Sequence, residues 1–306
     1  MTWLHRYARV LAAATLLLIA AGGLVTSTES GLAVPDWPTT YGQNMFTFPL
    51  DGMVGGILYE HGHRLIASGV GLLTIGLVIW LGYVERRRWV RRLGWIALAA
   101  VIVQGTLGGI TVLFFLPPPV SIGHAGLAQI FFCLTVAIAL VTSAGWRRPD
   151  VEPVDDPVLS RRMVTLTAVV FAQILIGATM RHTGAGLAIP DFPLAFGALW
   201  PSSWTPDIAI HYAHRVGAAI VTVLVIANVI YLRRTWPNRR ELARPAWLLV
   251  ALLVVQVSLG ALVIWTGKQF VINTLHVATG AAVLATSLVI TLRTFRVRVA
   301  DALATA

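Results

Sequence analysis

Long apolar stretches alternate with short polar connections along the whole chain. Runs such as residues 10–25 and 246–265 approach or reach the ~20 residues a helix needs to cross a hydrocarbon core. Eight spans fit this pattern, at residues 8–25, 62–84, 93–113, 121–144, 163–180, 210–232, 246–266 and 272–292. The expected fold is an all-α integral membrane protein.

The pattern also repeats. Gly31-Leu32-Ala33-Val34-Pro35-Asp36-Trp37-Pro38 returns as Gly186-Leu187-Ala188-Ile189-Pro190-Asp191-Phe192-Pro193. His63-Arg64 returns as His214-Arg215, His124 as His276, and the Gln104–Gly109 segment as residues 256–261. The basic start and apolar middle of the first span resemble a secretory signal. The repeat argues instead for an internal helix, because the segment after span one matches the segment after span five. Each copy then holds an even number of spans and starts on the same side. Eight helices as two tandem four-helix bundles follow, related by a pseudo-twofold axis along the membrane normal. The boundary falls in the polar, Pro/Asp-rich stretch 145–162, giving halves 1–147 and 148–306.

Composition sharpens this. The chain is 57% hydrophobic with a mean hydropathy of +0.77, and only 12% is charged, against ~25% in a soluble domain. The net charge of +10 would suggest nucleic acid if it were spread over one face. It is not: nineteen of the 23 cations lie at Arg6 and Arg9, or within residues 86–92, 147–162, 233–244 and 293–298. These are the termini and every second connection. The other connections hold Glu29, Asp36, Asp51, Asp191 and Asp207. That asymmetry is the positive-inside rule, with both termini cytoplasmic and the lipid bilayer, not nucleic acid, as partner. Cys133 is the only cysteine, so neither an intramolecular disulfide nor a Cys-based metal site is available.

The candidate chemistry lies in four histidines. His63, His124, His214 and His276 all stand within the first few residues of spans running from the outer face inward. Histidine pairs facing each other in a bundle suit axial ligation of haem. Ionisable groups within spans default to functional hypotheses. Copper and zinc are the alternative metals, but their acidic or sulfur co-ligands are sparse. The halves differ at one point: Glu60 stands three residues before His63, where the second half has His211. A carboxylate on the same helix face as His63 can act as a base or orient a water; a helix-start residue stabilised by the dipole is the plainer reading. Arg64 and Arg215 are either candidate partners for haem propionates or interfacial anchors. His61, His182 and His211 stand at the outer boundary, and His5 on the cytoplasmic side has no assigned role. Gly105, Gly108, Gly109, Gly76 and Gly82 are expected to let helices approach closely. Gln104 and Gln256 can hydrogen-bond between helices. The Pro-containing loops 26–59 and 181–209 are expected to serve as lids.

The duplicated halves, Glu60-x-x-His63-Arg64, His124, His214-Arg215, His276 and both Gly-Leu-Ala-x-Pro-Asp loops resemble the haem A synthase family of cytochrome oxidase assembly. The resemblance covers essentially the whole chain. It implies an oxidoreductase of the plasma (inner) membrane, with its haem sites toward the outer face, that oxidises the C8 methyl of haem O to the formyl group of haem A. The oxidation proceeds by successive hydroxylations with oxygen from water. It also implies that His63 and His124 hold the substrate haem, that Glu60 is the catalytic carboxylate, and that His214 and His276 hold a haem B passing electrons onward. The haem O-forming farnesyltransferase and an unidentified electron acceptor are the implied partners. One feature departs: some bacterial members carry a cysteine pair in the first outer loop, and this chain has none there.

A bis-haem electron-transfer cytochrome would use the same histidines but leave Glu60 unexplained, and such wires stack haems across the bilayer rather than at one face. A farnesyl-adding enzyme needs aspartate-rich motifs; the only comparable cluster, Asp150 to Asp156, is interrupted by prolines. A transporter would place a polar break near the midplane, and none stands there.

Overall fold

The computed structural model describes residues 3–147 and 154–296. Residues 148–153, which include Asp150 and Glu152 of the expected linker and the first residues of the expected second half, lie outside the described residues. So does Arg298. Eight helices run in order: α1 (Trp3–Ser27), α2 (Gly55–Val84), α3 (Arg88–Leu113), α4 (Pro118–Val141), α5 (Pro157–His182), α6 (Pro206–Thr235), α7 (Arg240–Trp265) and α8 (Phe270–Thr294). All eight are long and apolar enough to cross a membrane. The described residues hold no strand, only the isolated bridges Thr40–Gln43 and Ala195–Ala198.

Several helices start earlier than the apolar pattern does, because local chemistry rather than hydropathy sets their ends. The Asp156 side chain accepts from Leu159 N at 2.8 Å ahead of Pro157, and Thr205 accepts from Ile208 N ahead of Pro206. An N-cap oxygen followed by proline satisfies the orphan amides of a first turn. Of the helices that carry the four histidines, α6 and α8 have a side-chain cap, from Thr205 and Gln269, whereas α2 and α4 extend without one. His63 and His214 are the ninth residues of α2 and α6, and His124 and His276 the seventh of α4 and α8. They sit two turns deep, further in than the sequence pattern placed them. Glu60 likewise lies in the second turn of α2, past the reach of a helix-start dipole.

Consecutive helices touch, α4 returns to α1, and α8 returns to α5. Contacts of α1 with α8, and of α4 with both α5 and α8, join the two sets. Ile19, Phe132, Ala281 and Ala285 are buried together at that junction; small residues let membrane helices approach closely there. Near the C-terminal ends of α1 and α5 Arg181 donates to Gly23 O at 2.7 Å and Ser27 Oγ at 2.8 Å. Toward the other end the His5 ring donates to Ala139 O at 2.8 Å. Glu85, just past α2, is paired with Arg87 and Arg147.

Of the glycines expected to admit close neighbours, Gly76 faces Tyr7, Gly108 faces His124 and Gly109 faces Trp37, whereas Gly82 and Gly105 face open space. Helical period alone could not separate these two groups.

Asp156 also accepts from Tyr231 Oη and Trp236 Nε1. Burial would raise its carboxyl, but the donors of Leu159, Trp236 and Tyr231 outweigh it and hold it below the ordinary 3.8. A depressed carboxylate stabilises the fold above its unfolded value, and that contribution is lost as pH falls through the folded one. We expect Asp156→Ala to lower stability by about 0.5–2 kcal/mol, as cap removals do, seen as a lower Tm in detergent at neutral pH. The gap between variant and wild type should shrink as pH falls below 3.8.

Candidate functional site

Each of the four histidines is seated against a glycine on a neighbouring helix. A Cβ added at Gly22 of α1 would meet His63 Cε1 at 3.0 Å, and one at Gly108 of α3 would meet His124 Cε1 at 3.1 Å. In the second half Gly177 of α5 faces His214 at 2.9 Å and Gly260 of α7 faces His276 at 3.2 Å. Bare backbone lets a flat ring lie between two helices where any side chain would displace it. The rings of His214 and His276 face each other with centres 6.4 Å apart and planes inclined at 68°. His63 and His124 likewise lie within electrostatic range of each other. Nδ1 of His63, His124 and His276 is buried without a hydrogen-bond partner.

Glutamine amides accompany three of the four. Gln104 Nε2 donates to His124 O at 3.0 Å and lies 3.3 Å from its ring Nε2. Gln173 Nε2 donates to His214 O at 2.7 Å and lies 3.0 Å from Nδ1. Gln256 Nε2 lies 3.3 Å from His276 Nε2. The sequence reading had only a helix–helix role for Gln104 and Gln256 and did not single out Gln173 or the two remaining seats. The signal was available as Gln-x-x-x-Gly at 104–108, 173–177 and 256–260, with both residues on one helix face.

The loops after α1 and α5 fold alike. Asp36 accepts from the N–H groups of Tyr41 and Gly42 at 2.8 Å and from the Thr39 hydroxyl. Asp191 accepts from Phe196 and Gly197, also at 2.8 Å. The Gly197 and Phe196 amides hold the Asp191 carboxyl below its ordinary value, and the same kind of donors outweigh burial at Asp36. The Trp37–Pro38 and Phe192–Pro193 peptide bonds are both cis. Tyr41 and Phe196 are both left-handed, with φ of 50° and 58°.

The candidate residues beside the histidines turn toward these loops. Arg64 donates to the carbonyls of Val34, Asp36 and Thr39 and to Glu60 Oε1 at 2.6 Å. Glu60, 3% exposed, accepts from Val34 N on its other oxygen at 2.7 Å. Arg215 donates to the carbonyls of Ile189, Asp191 and Leu194, and His211 Nδ1 accepts from Ile189 N at 3.2 Å. Glu60 and His211 thus perform the same anchoring task in their halves. His61, with Thr40 Oγ1 at 2.9 Å, adds a further tie. From these anchors the first loop reaches α3, where Trp37 lies on Gly109, and the second reaches α7, where Phe192 meets Trp265 edge-on at 6.1 Å. A cavity of about 560 Å³ lies elsewhere, lined by Arg240, Arg244, Arg293 and Arg296 at the arginine-rich ends of α7 and α8.

A family model described as cytochrome oxidase assembly protein matches residues 5–288. The chain is 34% identical over 260 residues to a heme A synthase of Symbiobacterium thermophilum, covering 82% of each. It is 26% identical to one of Halalkalibacterium halodurans, covering 89% of this chain and 92% of the relative, and 28% identical to one of Shouchella clausii, at 86% and 87%.

Removing the Arg215 guanidinium deletes three bonds to loop carbonyls. A charged hydrogen bond is worth about 1.5–3 kcal/mol, so Arg215→Ala should raise amide exchange at Ile189, Phe196 and Gly197 by about tenfold or more in hydrogen–deuterium exchange. Unchanged exchange would mean that the loop is held by packing alone.

Proposed function

The chain belongs to the cytochrome oxidase assembly protein family, and from that membership we propose that it is a haem A synthase. In this reading it is a multi-pass membrane oxidoreductase that takes haem O as substrate at His63 and His124 and carries haem B between His214 and His276. The observation that carries the reading is the facing pair His214 and His276, with ring centres 6.4 Å apart. Two metal–imidazole bonds of about 2.0–2.1 Å, plus the reach from each ligating nitrogen to its ring centre, come to roughly 6 Å. The donor set agrees. His214 and His276, as facing imidazoles, would supply the two protein nitrogens of a bis-histidine haem. Among the described residues no group of three or more His, Cys, Asp or Glu could hold a bare metal ion.

When bound, haem iron supplies one-electron redox chemistry. The residues around it supply the rest. Oxidising the C8 methyl to a formyl group with a water oxygen releases four electrons and four protons, so the reaction needs a proton acceptor and an electron exit. Glu60 is the buried carboxylate on the helix of His63. One of its oxygens holds Arg64 and the other the Val34 amide; each keeps a further lone pair, on which a proton from a water near the substrate can be received. Arg64 and the loop amide fix that carboxylate, and the loop shields the proton transfer from bulk water. His214 and His276 would hold the haem that provides an exit for electrons, toward an acceptor that is a separate molecule. Both Nη groups of Arg64 are committed to the loop carbonyls and Glu60, which favours a clamping role over propionate binding. Buried Arg215 Nε, which has no partner in the protein, is the donor left for an acidic group of a haem. The positive-inside pattern supports cytoplasmic termini and haem sites toward the outer face of the plasma membrane; receipt of haem O from the farnesyl-adding enzyme is what the family resemblance implies.

One observation favours the alternative of a bis-haem cytochrome without substrate chemistry: Glu60 and His211 serve the same anchoring purpose, so Glu60 has a structural reason to exist. Membranes co-expressing the chain with a haem O source separate the two by haem extraction and mass-detected chromatography. Haem A, or its hydroxylated precursor, is expected only with the intact chain. Haem O left untouched beside bound haem B would establish the cytochrome instead. Glu60→Ala is expected to keep both haem sites and stop conversion; full conversion by that variant would remove Glu60 from catalysis. His276→Ala is expected to lose the second-half haem, and unchanged haem content would break the ligand assignment.

A further inference from the structure

The fourth histidine lacks what the other three share. The residue one helical turn before the glycine seat is Gln104, Gln173 and Gln256 for His124, His214 and His276, but Leu18 for His63. Leu18 packs among the apolar residues of the first half. A second difference goes with it. A Cβ at Gly217, one turn past His214 on α6, would collide with the Gln173 side-chain oxygen, so that glycine makes room for the amide. Gly280, past His276, leaves room for Gln256 in the same way, a Cβ there meeting Nε2 at 3.3 Å. The position on α2 that corresponds to Gly217 is Ile66. An amide with a glycine in the second half is thus replaced by two aliphatic side chains beside His63.

The amides are not finished hydrogen-bonding groups. Oε1 of Gln104, Gln173 and Gln256 is buried with no partner, although each Nε2 sits 3.0–3.3 Å from an imidazole nitrogen. A buried amide oxygen left unmatched is costly. An imidazole that ligates iron through one nitrogen carries its proton on the other; that N–H would donate to the glutamine oxygen once the amide turns so that Oε1 replaces Nε2 beside the ring. Such outer contacts fix ring orientation and raise ligand basicity, and losing them costs about 10–100-fold in affinity.

We infer that Gln104, Gln173 and Gln256 are positioning residues for three axial histidines, and that Leu18 with Ile66 makes His63 the ligand built to let go. The inference rests on the haem reading above and deepens it. A substrate haem must enter and leave, whereas a resident haem must not. The second half holds both imidazoles by amides; the first holds one by an amide and the other only by its seat on Gly22. Exchange in the first half therefore opens on the His63 side.

The test uses the purified full-length chain loaded with haem B and challenged with excess apomyoglobin as haem acceptor, with reduction potentials measured in parallel. The wild type should release one haem quickly and one slowly. Leu18→Gln with Ile66→Gly should slow the fast phase by about tenfold or more, and Gln173→Leu should speed the slow phase by about 10–100-fold and raise that haem's potential. Gln173→Glu keeps an acceptor at the ring and should restore slow release, which a merely disturbed fold would not. A release rate and potential unchanged in Gln173→Leu, a fast phase not slowed in Leu18→Gln with Ile66→Gly, or loss of haem from Gln173→Glu equal to that from Gln173→Leu, overturns the inference. A wild type that takes up no haem instead overturns the haem reading itself, and this inference with it.

Discussion

An imidazole ring can lie between two membrane helices only where the facing helix offers bare backbone. That constraint is met four times, at Gly22, Gly108, Gly177 and Gly260, and the rest of the site follows from it. In lipid there is no hydrophobic drive pulling helices together, so close packing of small residues and scattered hydrogen bonds must hold them. The glycine seats provide the close packing, bringing α1 to α2, α3 to α4, α5 to α6 and α7 to α8, and they give each ring a fixed floor. The imidazole depth of two turns below the helix starts then decides where any ligand between the pairs must sit.

Over these pairs the chain lays two loops, each built on an aspartate that gathers backbone amides and each pinned by the arginine beside a histidine. The coupling is close. Arg64 and Arg215 adjoin the candidate ligands in sequence but bond to loop carbonyls, so loop position and ligand position are tied through one helical turn. Glu60 and His211 make the same tie from the turn above. The difference between a carboxylate and an imidazole at that place is therefore chemical rather than architectural. Either accepts the loop amide, but a carboxylate also brings negative charge and a proton acceptor to the first half alone. On the proposed reading, that asymmetry together with Leu18 and Ile66 suits the first half to turnover and the second to retention.

Much of this was legible in the sequence. The apolar runs gave the eight helices, and the recurrence of His63 at His214 and of His124 at His276 pointed to the residues that now pack as matched neighbours. The family comparison agrees with the resemblance drawn from those motifs. What stayed hidden has physical causes. Two helix starts, those of α5 and α6, precede the apolar pattern because caps by Asp156 and Thr205 extend the helices past it. The partners of Arg64, Arg215 and Glu60 are backbone carbonyls and amides of irregular loops, which leave no side-chain signature to read. Gly82 and Gly105 look like Gly76 and Gly108 in the string, and only the third dimension tells which one faces a neighbour. His5, assigned no role, ties α1 to α4 because its ring meets a helix-end carbonyl 134 residues away.

The central claim is that paired imidazoles clasp haem iron in both halves. Near-infrared magnetic circular dichroism of the purified, haem-loaded, oxidised protein, with haem counted per chain, reads this directly. The account predicts two low-spin ferric haems per chain, both with the charge-transfer band of bis-imidazole ligation. A single haem, or a high-spin signal from iron bound by one histidine or none, would contradict it.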